Sequence, residues 1–289
     1  MPRVKAGEVH LGWRSWGEGD TVVVFIRGNL ASKDWLELAA PLFPRDLRVI
    51  GIDWRGCGDS DRTPGLPDYS NYSMQQHALD MLAALDALNI PFCHLATHST
   101  GGIIAARMLL MQPRRFGRVF ALDPVTPLGL AFDAEQIGLF RAMMASKTVT
   151  RAVMATAASS LFLPESMSPN SAPRFREGLG AATQLLFERI LDQTFGVSEG
   201  IWIGTPVNLT RERESRELER RMSEIHHPHL VVWGEGDGWI APADLRTMAA
   251  VMPDCRLVFV PGVGHSMNLE MPPLYAGYFG AWFGGFRVS

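Results

Sequence analysis

Cysteine is scarce in this 289-residue chain: Cys57, Cys93 and Cys255 are far apart, odd in number and nowhere arranged as C-x-x-C. That excludes a disulfide framework and a thiolate zinc site, and the three read as reduced thiols. An excess of one charge sign is also missing, the formal net being −3, so nothing electrostatic draws the chain to nucleic acid or to an anionic membrane. No run approaches the roughly 20 apolar residues that cross a bilayer. The N-terminal stretch MPRVKAGEVHLGWRSWG lacks the continuous apolar core of a secretory signal. Internal repeats and low-complexity tracts are absent as well. The expectation left standing is a soluble, cytoplasmic protein that acts on small, neutral or weakly charged molecules. The length allows one large α/β domain with an insertion, or two domains.

Short apolar runs ending in Gly or Asp do recur, separated by longer amphipathic segments, which is the pattern of parallel strands joined by crossover helices. Strands are predicted at Thr21–Ile26, Arg48–Asp53, Cys93–His98, Arg118–Asp123, His229–Gly234 and Arg256–Pro261, with an edge hairpin around Glu8–Trp16. Helices are predicted at Trp35–Phe43, Ser73–Leu88, Thr100–Met111, Pro242–Met252 and Pro272–Phe283. Ser73 and Gln76 have the spacing of a capping box. The strand rhythm stops over residues 127–226, where helices are expected at Asp133–Ser146, Val149–Ser160, Pro173–Gln193 and Arg211–Glu224, with a Pro/Ser-rich connector at 163–173. We therefore expect a core of residues 1–126 and 227–289 and a helical lid of residues 127–226.

The segment CHLATHSTGGIIAARMLL carries an apolar strand directly into Ser99 and then a helix. A serine on so sharp a turn is held out at the sheet's C-terminal edge with a helix N-terminus beneath it. Thr97-His98-Ser99-Thr100-Gly101 resembles the nucleophile elbow of the α/β-hydrolase family, usually G-x-S-x-G, with Thr97 in place of the first glycine. FIRGNLASKDW resembles that family's oxyanion loop, with Arg27 where histidine is usual. IDWRGCGDSD matches its loop after the next strand through Asp53, Arg55, Gly56, Gly58 and Ser60, to which we assign a structural role.

The resemblance implies an α/β-hydrolase fold and a Ser-His-acid triad, with Ser99 as nucleophile, His265 as general base and Asp237 as the carboxylate. Their chain order, Ser99, Asp237, His265, is the one this fold requires. Asp123, at the end of the strand in FALDPVTP, is the rival acid, otherwise expected at the entrance to the lid. The backbone N–H groups of Asn29 and Thr100 would form the oxyanion hole. Gly28, His98, Met143, Phe162 and Trp202 are candidates for the substrate pocket.

No cofactor or metal is called for. His226, His227 and His229 are broken by Pro228 and precede a strand, which speaks against a metal site. The function expected is hydrolysis of an ester, thioester or lactone of a small, fairly apolar substrate through an acyl-enzyme. Dehalogenases and epoxide hydrolases of this fold carry aspartate at the elbow, so Ser99 argues against both. A carbon–carbon bond hydrolase or a cofactor-free lyase or oxygenase could use the same triad. A receptor that kept the pocket and lost turnover is the third reading, favoured by Arg27 and Thr97.

Overall fold

The computed structural model describes residues 1–167 and 172–284. Residues 168–171 of the expected connector and 285–289 of the expected core lie outside the described residues. The eight strands, in chain order, are β1 (Arg3–Ala6), β2 (Val9–Trp16), β3 (Thr21–Ile26), β4 (Leu47–Ile52), β5 (Cys93–His98), β6 (Phe116–Leu122), β7 (His229–Gly234) and β8 (Cys255–Val260). They form one sheet in the order β1-β2-β4-β3-β5-β6-β7-β8. The β1/β2 and β2/β4 pairs are antiparallel and all later pairs parallel. Buried on both faces, the inner strands are apolar almost throughout, which is why three of them coincide with their predicted bounds.

The chain runs from β3 outward to β4 and then returns to lay β5 on the other flank of β3. Neighbouring loops there leave in opposite directions and open a crevice at the carboxyl ends of the strands, the usual place for a ligand in an open α/β sheet. The crossovers are α1 (Met74–Ala87) and α2 (Gly101–Met111). Between β6 and β7 come α3 (Ala134–Ala145), α4 (Lys147–Ala157), α5 (Ala181–Phe195), α6 (Thr205–Ser215) and α7 (Glu217–Arg221). The last three are α8 (Pro242–Val251), α9 (Met267–Glu270) and α10 (Pro272–Phe283). Two apolar clusters bury the faces of the sheet, and a third joins α4 and α5 to Trp35 and Leu269 of the core.

Four local expectations are corrected. Residues 35–43 form two 3-10 turns, Lys33–Leu36 and Ala40–Leu42, because Pro41 lacks the N–H that a continuous helix would need there. The helix expected from Pro173 starts at Ala181, after Gly178 at φ +74° and Gly180 as its cap. The charged run around Arg211 belongs to a helix that begins at Thr205 and breaks at Arg216, φ +53°, before α7. The Ser73 hydroxyl caps the Gln76 N–H at 3.1 Å, but Gln76 turns its amide to Asp80 rather than back, so the box is half made. A full capping box instead starts α3, between Asp133 and Gln136.

Candidate active site

Five loops meet at the carboxyl edge of the sheet. The first follows β3, where Gly28 sits so close to the elbow that a Cβ there would lie 2.9 Å from that of Ser99. Glycine is required for that approach. Asn29, next in the chain, lines the cavity described below, and its side-chain oxygen has no hydrogen-bond partner among the described residues.

Ser99 follows β5 with φ +52°, a left-handed conformation that a non-glycine residue holds only under constraint. The constraint is visible: its N–H donates to Leu122 O at 3.1 Å, and its carbonyl accepts from Gly102 N at 2.9 Å and Val125 N at 2.8 Å. Gly101 is needed because a Cβ there would collide with the Ile26 carbonyl. Thr97, at the position the elbow usually gives to glycine, is fully buried and is accommodated beside the small side chain of Ala121. The Asn29 and Thr100 backbone N–H groups donate to no acceptor among the described residues. Two donors thus stay available beside the serine.

His265 follows β8, and its Nδ1 donates to Asp237 Oδ2 at 2.9 Å. Asp237, in the loop after β7, is held by its other oxygen, which accepts the Trp239 N–H at 2.7 Å and the Ile240 N–H at 3.4 Å. With Nδ1 committed as donor, the neutral ring leaves Nε2 as a base. Ser99 and His265 line the same cavity. Among the described residues no hydrogen bond yet joins the hydroxyl to the imidazole, a contact that in ligand-free enzymes is often long and closes with substrate.

Asp123 follows β6 at φ +43°, is wholly buried and is not among the residues that line the cavity. Its Oδ1 accepts the Gly234 N–H at 2.8 Å. Burial above all, with Asp237 beside it, pushes this carboxyl well above the usual carboxylate range. Asp123, Asp237 and His265 bring donor atoms within 4.8 Å of one another. The His265 proton and backbone N–H groups engage both oxygens of Asp237 and Oδ1 of Asp123, while Asp123 Oδ2 has no hydrogen-bond partner among the described residues.

His98 packs between the rings of Trp35 and His265, with centroids at 5.5 and 4.8 Å, and donates through Nε2 to the His265 carbonyl at 2.8 Å. Burial, then the neighbouring imidazole, pulls its pKa down to about 3, so it is neutral and fixes the His265 loop. The three histidines of the 226–229 segment do not converge on a shared point: His227 Nε2 donates to Pro113 O and His229 Nδ1 to His227 O.

The cavity has a volume of about 660 Å³. Met143, Met154 and Phe140 from α3 and α4 form part of its roof, and Trp35, Val125 and Trp239 part of its floor. Phe162 and Trp202 are corrections, because neither is among its walls. Phe162 stacks on Phe175 at 4.8 Å and meets Phe187 edge-on, inside the cluster that holds α5 to the core. Trp202 is buried in the main core, in a π-helical turn, Gly200–Gly204, that the sequence did not signal. Gly28 also stays behind the wall, against Ser99 and His98.

Sequence reasoning missed Glu270, the carboxylate after the histidine loop. It accepts from Ser266 N at 2.9 Å, Gly264 N at 3.1 Å and Ser160 N at 3.1 Å. Its five-residue spacing from His265 in GHSMNLE was the available signal. The loop after β4 is built from bonds of the same structural kind: Arg55 makes a paired bond to Asp80 at 2.6 and 2.7 Å, and Ser60 donates to the Asp53 carbonyl at 2.9 Å.

A model of the alpha/beta hydrolase fold matches residues 21–272, nearly the whole described chain. The chain belongs to the alpha/beta hydrolase fold family. Among its curated relatives in sequence, a dihydrolipoyllysine-residue acetyltransferase component of the acetoin cleaving system from Pseudomonas putida is 26% identical over 88% of this chain. The chain spans 61% of that protein's length. A 2-hydroxy-6-oxononadienedioate/2-hydroxy-6-oxononatrienedioate hydrolase from Pseudomonas putida is 25% identical over 93% of this chain and 90% of its own. The solved structure of Est816, described as an N-acyl homoserine lactone degrading enzyme, superposes with a TM-score of 0.74 at 24% identity, covering 97% of this chain and 100% of that one. Within this alpha/beta hydrolase, no helix of the described residues is long and apolar enough to cross a membrane.

Proposed function

We propose that this alpha/beta hydrolase is a serine hydrolase that cleaves an ester, thioester or lactone of a small, fairly apolar substrate through an acyl-enzyme. The Asp237–His265 hydrogen bond of 2.9 Å, on the rim of a cavity that also holds the strained Ser99, carries the reading. Ser99 Oγ attacks the carbonyl carbon while His265 Nε2 takes its proton, and Asp237 stabilises the imidazolium without accepting that proton. The Asn29 and Thr100 N–H groups hold the anionic oxygen. Collapse expels the alcohol or thiol, protonated by His265, and water releases the acid by the same steps. Residues 127–226 serve as the lid, and residues 1–126 and 227–289 as the core that bears the triad. No cofactor enters this sequence of steps, and three unpaired cysteines suit a reducing cytoplasm.

The carbon–carbon bond hydrolase reading draws on the relative that acts on a dioate. It is less well supported, since no Lys or Arg is among the described residues that line the cavity. A dianion would find no cation there.

Turnover of short-chain p-nitrophenyl esters, with and without a serine-directed phosphonate, tests the proposal. Ser99→Ala is expected to lower kcat by on the order of 10⁴ to 10⁶ with the fold intact. Comparable turnover in that variant rules out the covalent route. Phosphonate labelling without turnover would point to the receptor reading.

A further inference from the structure

Arg27 follows β3 directly, and none of its surface reaches solvent. Its guanidinium lies 4.3 Å from the centre of the Trp54 ring, and its Nε lies 3.8 Å from Asp53 Oδ1. Asp53 has other obligations, accepting from the Lys33 backbone N–H at 2.7 Å and from Lys33 Nζ at 2.8 Å. The shortest hydrogen bond of the guanidinium goes elsewhere: Nη1 donates to the Gly28 carbonyl at 2.6 Å. That carbonyl and the Asn29 N–H are the two ends of one peptide group. A buried cation is costly to keep, so the bond it makes calls for an account.

Drawing electron density onto the carbonyl oxygen makes the N–H at the other end a better donor. Such strengthening is about 10–30% per neutral bond. It is larger when the donor is ionised and the surroundings are of low dielectric. The other available donor has a comparable support, since the carbonyl of its peptide, that of Ser99, accepts from Gly102 N and Val125 N. Both peptides are thus drawn from behind, one by two amides and one by a full charge.

The geometry points to Arg27 as a positioning residue that holds and polarises the Gly28–Asn29 peptide, so that the Asn29 N–H better stabilises the oxyanion. This inference rests on the serine-hydrolase reading. A guanidinium stays charged at every working pH, whereas a histidine in its place would not, so the support does not titrate.

The test uses Arg27→Gln, which keeps a donor and loses the charge, and Arg27→Lys, which keeps the charge. For each, kcat and KM on p-nitrophenyl butyrate, the Ki of a trifluoromethyl ketone that forms an anionic hemiketal, and Tm are measured. Loss of a whole oxyanion donor costs on the order of 10² to 10³ in kcat, so loss of its polarisation is expected to cost about tenfold. In Arg27→Gln, kcat should fall and Ki rise by that same factor with KM nearly unchanged, and Arg27→Lys should recover most of the loss. A folded Arg27→Gln with kcat and Ki unaltered overturns the inference. So does an equal fall in both variants that tracks Tm and raises KM, which marks a purely structural role.

Should Arg27→Gln fail to fold, the amide protons of the wild-type protein decide. On hemiketal formation those of Asn29 and Thr100 should both move downfield, and movement of Thr100 alone overturns the inference while leaving the elbow in place. A wild type inert to ester and phosphonate alike would bring down the serine-hydrolase reading and this inference with it.

Discussion

Two aspartates stand within 4.8 Å of one imidazole, and their surroundings separate their roles. Asp237 accepts the His265 Nδ1–H and two backbone N–H groups. Asp123 has one N–H, no solvent and a neighbouring carboxylate, which favour the acid. The folded pKa of Asp123 therefore lies above its ordinary value of 3.8. A group of this kind contributes stability fully below its unfolded pKa and loses it as pH rises toward the folded pKa. Asp123→Asn keeps the acceptor for Gly234 and cannot ionise. Its Tm should therefore gain on the wild type as pH rises above 3.8, by about 1.4 kcal/mol of stability per pH unit while the native acid stays protonated. Thermal unfolding between pH 4.5 and 8 measures the gap, and a gap constant with pH would mean that Asp123 is already ionised in the fold. The same substitution should keep ester turnover within about tenfold, whereas Asp237→Asn should lose near 10⁴ by spoiling the tautomer.

At the scale of elements, the short helix α9 acts as an anchor for the loop before it. Its Glu270 takes the N–H groups on both sides of His265 and a third from Ser160, in the segment between β6 and β7. Glu270→Gln sets an amide N–H₂ against backbone donors and leaves at least one of them unsatisfied. Such a loss costs about 1–3 kcal/mol. Urea unfolding should show it, and kcat should fall with it as the imidazole loses its seat; unchanged stability and turnover would remove Glu270 from that role. The inner strands were legible in sequence because they are short, mostly apolar runs, with Asp53, Asp123 and Gly234 closing β4, β6 and β7, and the candidate groups Ser99, Asp237 and His265 lie in the loops that follow such runs. Trp202 and Phe162 looked like pocket residues because composition counts aromatics without saying which way they face. Phe162 is buried by Phe175 and Phe187 and Trp202 by the main core, partners that only the packed fold brings near. Arg27 and Glu270 lay in segments that could be quoted from the sequence. Their bonds go to the backbone, which leaves no periodicity to read.

For the molecule as a whole, the wall of the cavity is built jointly by the strand-end loops and by α3 and α4, and this determines which molecules it can hold. Its ionisable lining among the described residues consists of His98 and His265, and burial keeps His98 neutral. An anionic group carried into such a space gives up its hydration and meets no cation, at an effective cost of several kcal/mol. Since about 1.4 kcal/mol is a factor of ten, p-nitrophenyl butyrate should exceed the mono-p-nitrophenyl ester of succinate by at least roughly 10² in kcat/KM. The discrimination should be removable. Leu139 is on the cavity wall yet 44% exposed, so an arginine there can reach the substrate and keep its own stem in water. Leu139→Arg is expected to narrow the gap by about tenfold through the anionic ester alone, an effect that weakens as salt is added. If the wild type hydrolyses both esters equally well, the acyl group does not enter this cavity.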